Sequence, residues 1–88
     1  WTPIGNSSVA FDGNFDGAGH TISGMFINTT STHNGLFGNS SGTVQNLTVE
    51  NSWVYGGEYS AGIVGRSTGS VLSTKNLASV EKKSVLEV

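Results

Sequence analysis

The sequence has 88 residues, enough for one small domain, with 35% hydrophobic residues, 13 glycines, one proline and a net charge of −2. It has no cysteine, so disulfides and thiolate metal sites are excluded. Residues 1–65 carry Asp12, Asp16, Glu50 and Glu58 with no Lys or Arg, a charge of −4 that offers nothing to a phosphate backbone and excludes nucleic acid as a partner.

The charge is low, and Val, Ile, Leu and Phe recur at regular intervals, which argues against a disordered tract. No run resembles a signal peptide or a membrane-spanning helix, so membrane insertion is not expected. The chain opens at Trp1 with no Met, which reads as a piece of something longer or a processed product.

Trp1-Thr2-Pro3-Ile4-Gly5 begins with an aromatic residue that either covers an open core face or packs in the ordinary way, and Asn6 to Ala10 is a polar loop. Phe11 and Phe15 are expected to point inward between turns at Gly13, Gly17 and Gly19. Ile22, Met25 and Ile27 are spaced three and two apart, as are Val44, Leu47 and Val49. Same-face residues of a plain strand lie two apart, so the step of three predicts a bend or bulge at Ser23-Gly24 and at Gln45-Asn46. Both segments then read as one strand-bend-strand element on successive coils, at the offset that carries Ile22 onto Val44. In that reading Val44, Leu47 and Val49 stack on Ile22, Met25 and Ile27. Thr29 to Asn34 is a loop, Glu50 to Tyr55 continues in β-favouring residues, and Gly56-Gly57-Glu58 turns the chain.

The organising feature is a repeat. Gly35-Leu36-Phe37-Gly38-Asn39-Ser40-Ser41-Gly42-Thr43-Val44 returns as Gly62-Ile63-Val64-Gly65-Arg66-Ser67-Thr68-Gly69-Ser70-Val71, and seven of the ten positions are identical or Ser/Thr exchanges. A fixed period of the length that carries Gly35 onto Gly62 marks a solenoid. Helical periodicity is absent from residues 1–72. The expected fold is therefore all-β, a right-handed parallel β-helix (β-solenoid) of about three coils.

The third coil departs from the pattern. Aligned on Gly42 and Gly69, Leu47 maps to Thr74 and Val49 to Asn76, and an insertion of three would instead place Leu77 opposite Leu47. The expected division is 1–72 as solenoid repeats and 73–88 as a divergent segment. That segment, with Val80, Val85, Leu86 and Val88 among its charges, reads as a cap, an added strand on an edge or a frayed end, and is expected to pack across an open end of the solenoid or to mediate self-association.

These residues resemble a known family. GLFG and GIVG, each followed by a polar pair and Gly-Thr/Ser-Val, look like the GLUG-motif repeats of bacterial surface proteins, and so do the lead-in Trp1 to Gly5 and the run Phe15 to Gly24. The resemblance covers residues 1 to about 71. It implies a β-solenoid stretch of a large secreted or cell-wall-attached protein, adhesin-like or adjoining a peptidase domain, and supplies no catalytic residue.

Three constellations have chemistry to weigh. Asp12-x-Asn14-x-Asp16-Gly17 has the opening of a calcium loop, but Ser23 stands where the bidentate Glu is required, and local bonding at a glycine-rich corner accounts for it. His20 and His33 have no acidic partner close in sequence. Asp12 and Asp16 could flank a sugar as paired carboxylates do, yet they are neighbours on one corner. The sequons at Asn6, Asn28, Asn39 and Asn46 are what a chain rich in Asn, Ser and Thr produces by chance, and no T-x-T row for ordering ice is present.

No residue is assigned a catalytic, cofactor-binding or metal-binding role. The expected function is a structural or adhesive segment of a bacterial extracellular protein. Its expected partners are a host or cell-surface protein or a glycan, and self-association through the solenoid ends is expected as well. The alternative is a substrate-holding accessory module of a carbohydrate-active enzyme or secreted peptidase.

Overall fold

The computed structural model describes residues 1–82. The expectations for Val85, Leu86 and Val88 fall on residues 83–88, outside the described residues. The described chain is all-β and its strands pair in parallel. In chain order the strands are β1 (Asn14–Ser23), β2 (Phe26–Asn28), β3 (Phe37–Ser40), β4 (Thr43–Glu50), β5 (Trp53–Gly56), β6 (Val64–Ser67), β7 (Ser70–Asn76) and β8 (Ser79–Lys82). Among the described residues they form three sheets, ordered β1-β4-β7, β2-β5-β8 and β3-β6, and no sheet closes into a barrel. The chain visits the three sheets in turn and then repeats the circuit.

The register follows the repeat. Phe37 pairs with Val64, Phe26 with Trp53, and Val44 with Val71, each at the offset that carries Gly35 onto Gly62. The backbone explains why glycine recurs in the motif. Thr43 N–H donates to the Gly13 carbonyl at 2.9 Å, and Ser70 N–H donates to the Gly42 carbonyl at 3.0 Å. A Cβ at Gly42 would collide with the Gly13 carbonyl oxygen, and one at Gly69 with the Gly42 carbonyl oxygen. Glycine followed by Thr or Ser therefore sits where one circuit of the chain lies directly against the next.

The expected stacking of Val44, Leu47 and Val49 on Ile22, Met25 and Ile27 is wrong. Val44 lies beside Phe15, Leu47 beside His20 and Val49 beside Ile22. Met25 and Ile27 belong past a corner, and Ile27 pairs with Val54 in the second sheet. The two bends exist but differ in kind. Gly24 (φ 78°) turns the chain from one sheet into the next, and Asn51 (φ 48°) does the same one circuit later. Asn46 (φ 57°) instead interrupts β4 from within, at the same place as Ser73 (φ 50°) in β7. Opposite Asn46, the first circuit spans Asp16 to His20 with an irregularity in register, so Gly17-Ala18-Gly19 takes the place of Asn46 alone.

The core comprises Met25, Ile27, Leu36, Phe37, Val44, Leu47, Val49, Val54 and Ile63. Phe11 and Phe15 do turn inward, with ring centroids 5.0 and 5.2 Å from that of Phe37. Residues 1–13 flank β3 through bridges from Ile4 to Phe37 and from Phe11 to Ser40. In the first sheet the third circuit keeps the repeat's register with no insertion: Leu47 faces Thr74 and Val49 faces Asn76. The boundary drawn at residue 72 falls inside β7. Past it β8 continues the second sheet one position early, with Val54 beside Val80 and Trp53 beside Ser79.

Candidate functional site

The alternation of the second sheet builds one distinctive surface. In β2 and β5 the inward residues are Ile27 and Val54, both buried, so Phe26, Trp53 and Tyr55 point outward. Phe26 stacks on Trp53 with centroids 5.0 Å apart and planes 24° apart, and Trp53 stacks on Tyr55 at 5.6 Å and 20°. Phe26 ends the row because β2 is the outer strand of its sheet. It remains 58% exposed. The pairing of Phe26 with Trp53 was available from the sequence, since the period of the glycine motif carries one onto the other.

Phe26 and Trp1 both line a cleft of about 470 Å³. Trp1 is 56% exposed; its indole Nε1 donates to the Gly35 carbonyl at 3.1 Å, and the terminal ammonium of this sequence donates to the Phe26 carbonyl at 3.0 Å. The polar lining includes Asn6, Asn28, Thr32 and His33, and no described residue of the lining is Asp, Glu, Lys or Arg. The Asn6 side-chain oxygen accepts from the Ser8 and Val9 N–H groups, both at 2.9 Å, so its amide NH2 remains available. Thr32 Oγ1 and His33 Nδ1 are 2.7 Å apart, leaving the other ring nitrogen of His33 for a further bond.

A second groove of about 450 Å³ is lined by Phe26 and Trp53 together with Asn51, Leu77 and Ser79. A corner stack also forms where the His33 and Tyr59 rings lie 4.8 Å apart and the Arg66 guanidinium sits 5.7 Å from the Tyr59 centroid.

The carboxylate motif of the first circuit is engaged locally. Asp12 precedes β1, and Asn14 and Asp16 point outward from it. Asp16 Oδ1 accepts from the Ala18 N–H at 2.9 Å and from Asn46 Nδ2 at 3.0 Å, and Gln45 Nε2 donates to Asn14 Oδ1 at 3.2 Å. The Ala18 bond first and the Asn46 bond second hold the Asp16 carboxyl below its ordinary pKa of 3.8. These bonds fasten the bulge at residues 17–19 to the neighbouring circuit. His20 lies exposed beside Leu47 in the first sheet, and His33 lies at the corner stack, so the structure does not bring the two histidines together.

Comparison with known proteins finds similar chains in two organisms. A protein of Evansella cellulosilytica named "Putative Gly-rich membrane protein" is 36% identical over 84 residues, which covers 92% of this chain and 10% of that protein. A halomucin of Haloquadratum walsbyi is 38% identical over 73 residues, covering 78% of this chain and 1% of the halomucin. The chain thus spans a tenth or less of the length of these relatives. No family model matches it, and no solved structure does. The relatives' names are those of cell-surface-like proteins, consistent with a structural role at a surface.

Proposed function

We propose that this chain is a structural β-solenoid segment of an extracellular surface protein of the GLUG-repeat kind, with no catalysis of its own. The observation that carries this reading is a shared parallel offset. The glycine-motif period recurs between β2 and β5, between β3 and β6, and between β4 and β7, one pair in each sheet. Such an arrangement grows by adding circuits, each burying the open face of the last, and yields a stiff rod whose length follows the repeat count. The relatives, at least ten times the length of this match, suit a segment that supplies length within a larger surface molecule. In this reading the open edges at β7 and β8 receive further circuits or a second copy, which removes the hazard of unpaired strand edges.

Inserting a second copy of residues 43–69 directly after Gly69 tests the reading. One added circuit is expected to lengthen the particle by ~4.8 Å in small-angle scattering, the spacing of neighbouring strands, and to raise the melting temperature. An insert that swells the chain as a loop, gains no protected amides and leaves melting unchanged would contradict it.

A further inference from the structure

Composition accounts for the number of sequons in this chain, but the structure separates them. Asn39 is buried, and its Nδ2 donates to the Asn6 carbonyl at 3.0 Å. Asn46 Nδ2 donates to Asp16 Oδ1 on the neighbouring circuit at 3.0 Å. Asn6 is exposed, but its side-chain oxygen closes a turn by accepting from the Ser8 and Val9 N–H groups. Asn28 is exposed, and its side chain makes no hydrogen bond among the described residues. Thr30, the third residue of its sequon, is exposed as well. Asparagine followed at the second position by Thr or Ser is the acceptor of N-linked glycans. We infer that Asn28 is a glycan attachment site, with the ring of Phe26 as the seat of the first sugar.

The strand sets this arrangement. Ile27 is buried, so Phe26 and Asn28 on either side of it both point outward. Two residues of a strand span ~7 Å, within reach of a sugar joined to the Asn28 amide. Phe26 is backed by its stack on Trp53, and Tyr55 is the register partner of Asn28 in β5. Aromatic faces are electron-rich, and the C–H bonds on one side of a pyranose ring carry the complementary partial charge. Just past β2, Thr29 N–H donates to the Tyr55 carbonyl at 2.9 Å and Ser31 N–H to Thr29 Oγ1 at 3.1 Å, so the acceptor stands on a fixed strand end. Circuits stacked on either edge of the sheet would leave these side chains pointing outward.

The donor is a sugar carried on a polyprenyl diphosphate. Asn28 Nδ2 forms a bond to the anomeric carbon, the anomeric C–O bond breaks, and the lipid diphosphate leaves with the bonding electrons. One amide proton is released, and the other stays on the linked nitrogen. The inference rests on the surface-protein reading only for the route that brings the chain to such a donor, and purified components remove that dependence.

The test incubates the folded 88-residue chain with polyprenyl-diphosphate-linked chitobiose and a single-subunit oligosaccharyltransferase that requires no residue beyond Asn-x-Ser/Thr, and maps the product by peptide mass spectrometry. Chitobiose is expected on Asn28, with occupancy of Asn39 and Asn46 lower by at least about tenfold, because both must first break a hydrogen bond. Thr30→Ala should abolish modification of Asn28, and Thr30→Ser should keep it. The glycosylated chain should melt a few degrees above the bare one, and Phe26→Ala should remove that increment while still accepting the sugar. Should Phe26→Ala not fold, magnetic-resonance contacts between the first sugar and the Phe26 ring of the parent decide the same point. The inference is overturned if the folded chain leaves Asn28 bare, if Asn39 or Asn46 accepts sugar as readily, or if the glycan neither raises the melting temperature nor touches Phe26. Growth of the fold by added circuits would stand under each of those results, so the two readings fail separately.

Discussion

Val44 and Val71 occupy the same position of the repeat and lie side by side in the first sheet, yet Val44 is fully buried and Val71 is 38% exposed. The contrast extends along both strands. Leu47 and Val49 are buried in β4, while their neighbours in β7 are the half-buried Thr74 and the exposed Asn76. Backbone register alone therefore does not make a core position. A strand of this fold is covered when it has a neighbour on each side, and β4 has both β1 and β7. Along β7 the sequence tracks that difference at two of the three positions, where Thr74 and Asn76 stand beside Leu47 and Val49.

The largest effect expected from this comparison is at Leu47. Leu47→Ala should cost about 2–5 kcal/mol in chemical denaturation, as truncation of a buried leucine does. Val71→Ala, one strand out, should cost less than about 1 kcal/mol, because solvent already reaches the side chain. Equal losses at the two positions would show that β7 is covered as fully as β4.

A smaller effect belongs to the bulge that ties β1 to β4. The Asp16 pKa is lowered in the folded chain by the Ala18 and Asn46 hydrogen bonds. Its contribution to stability is therefore complete above its ordinary pKa of 3.8 and disappears as pH falls through the lower folded value. Asp16→Asn should flatten this acid limb of the stability profile and leave stability near neutral pH almost unchanged, because the group is exposed. Thermal melts of both proteins across acid pH make the comparison, and parallel profiles would exclude the carboxylate from the bulge.

Much of this architecture was legible because glycine marks close approach. The repeated Gly-Thr/Ser-Val is the place where one circuit rests on the next, so the spacing from Gly42 to Gly69 is the true period. The misleading signal was the spacing of apolar residues. Ile22-Met25-Ile27 crosses a corner at Gly24, while Val44-Leu47-Val49 crosses a kink inside one strand at Asn46, and both give steps of three and two. Alternation of faces restarts at every corner, so the same string arises from different geometry.

The aromatic row was half legible. Phe26 and Trp53 are paired by the period, but whether they face in or out depends on the phase set at Gly24 and Asn51. The cleft was not legible at all, since it depends on Trp1 being hydrogen-bonded to Gly35, far along the chain.

Paired cysteines test the central claim, the parallel register at the glycine-motif period, most directly. Thr21 and Thr48 are register partners in β1 and β4, neither is buried, and their spacing is that of neighbouring strands. Strand neighbours ~4.8 Å apart lie within the ~4.4–6.8 Å between Cα atoms that a disulfide spans. Thr21→Cys with Thr48→Cys should therefore close an intramolecular bond under mild oxidation, seen as a mass loss of two hydrogens and a higher melting temperature. Phe26→Cys with Thr48→Cys, the pair at the offset that carries Ile22 onto Val44, should stay reduced. Closure of the second pair and not the first would contradict the register on which the whole account of this fold rests.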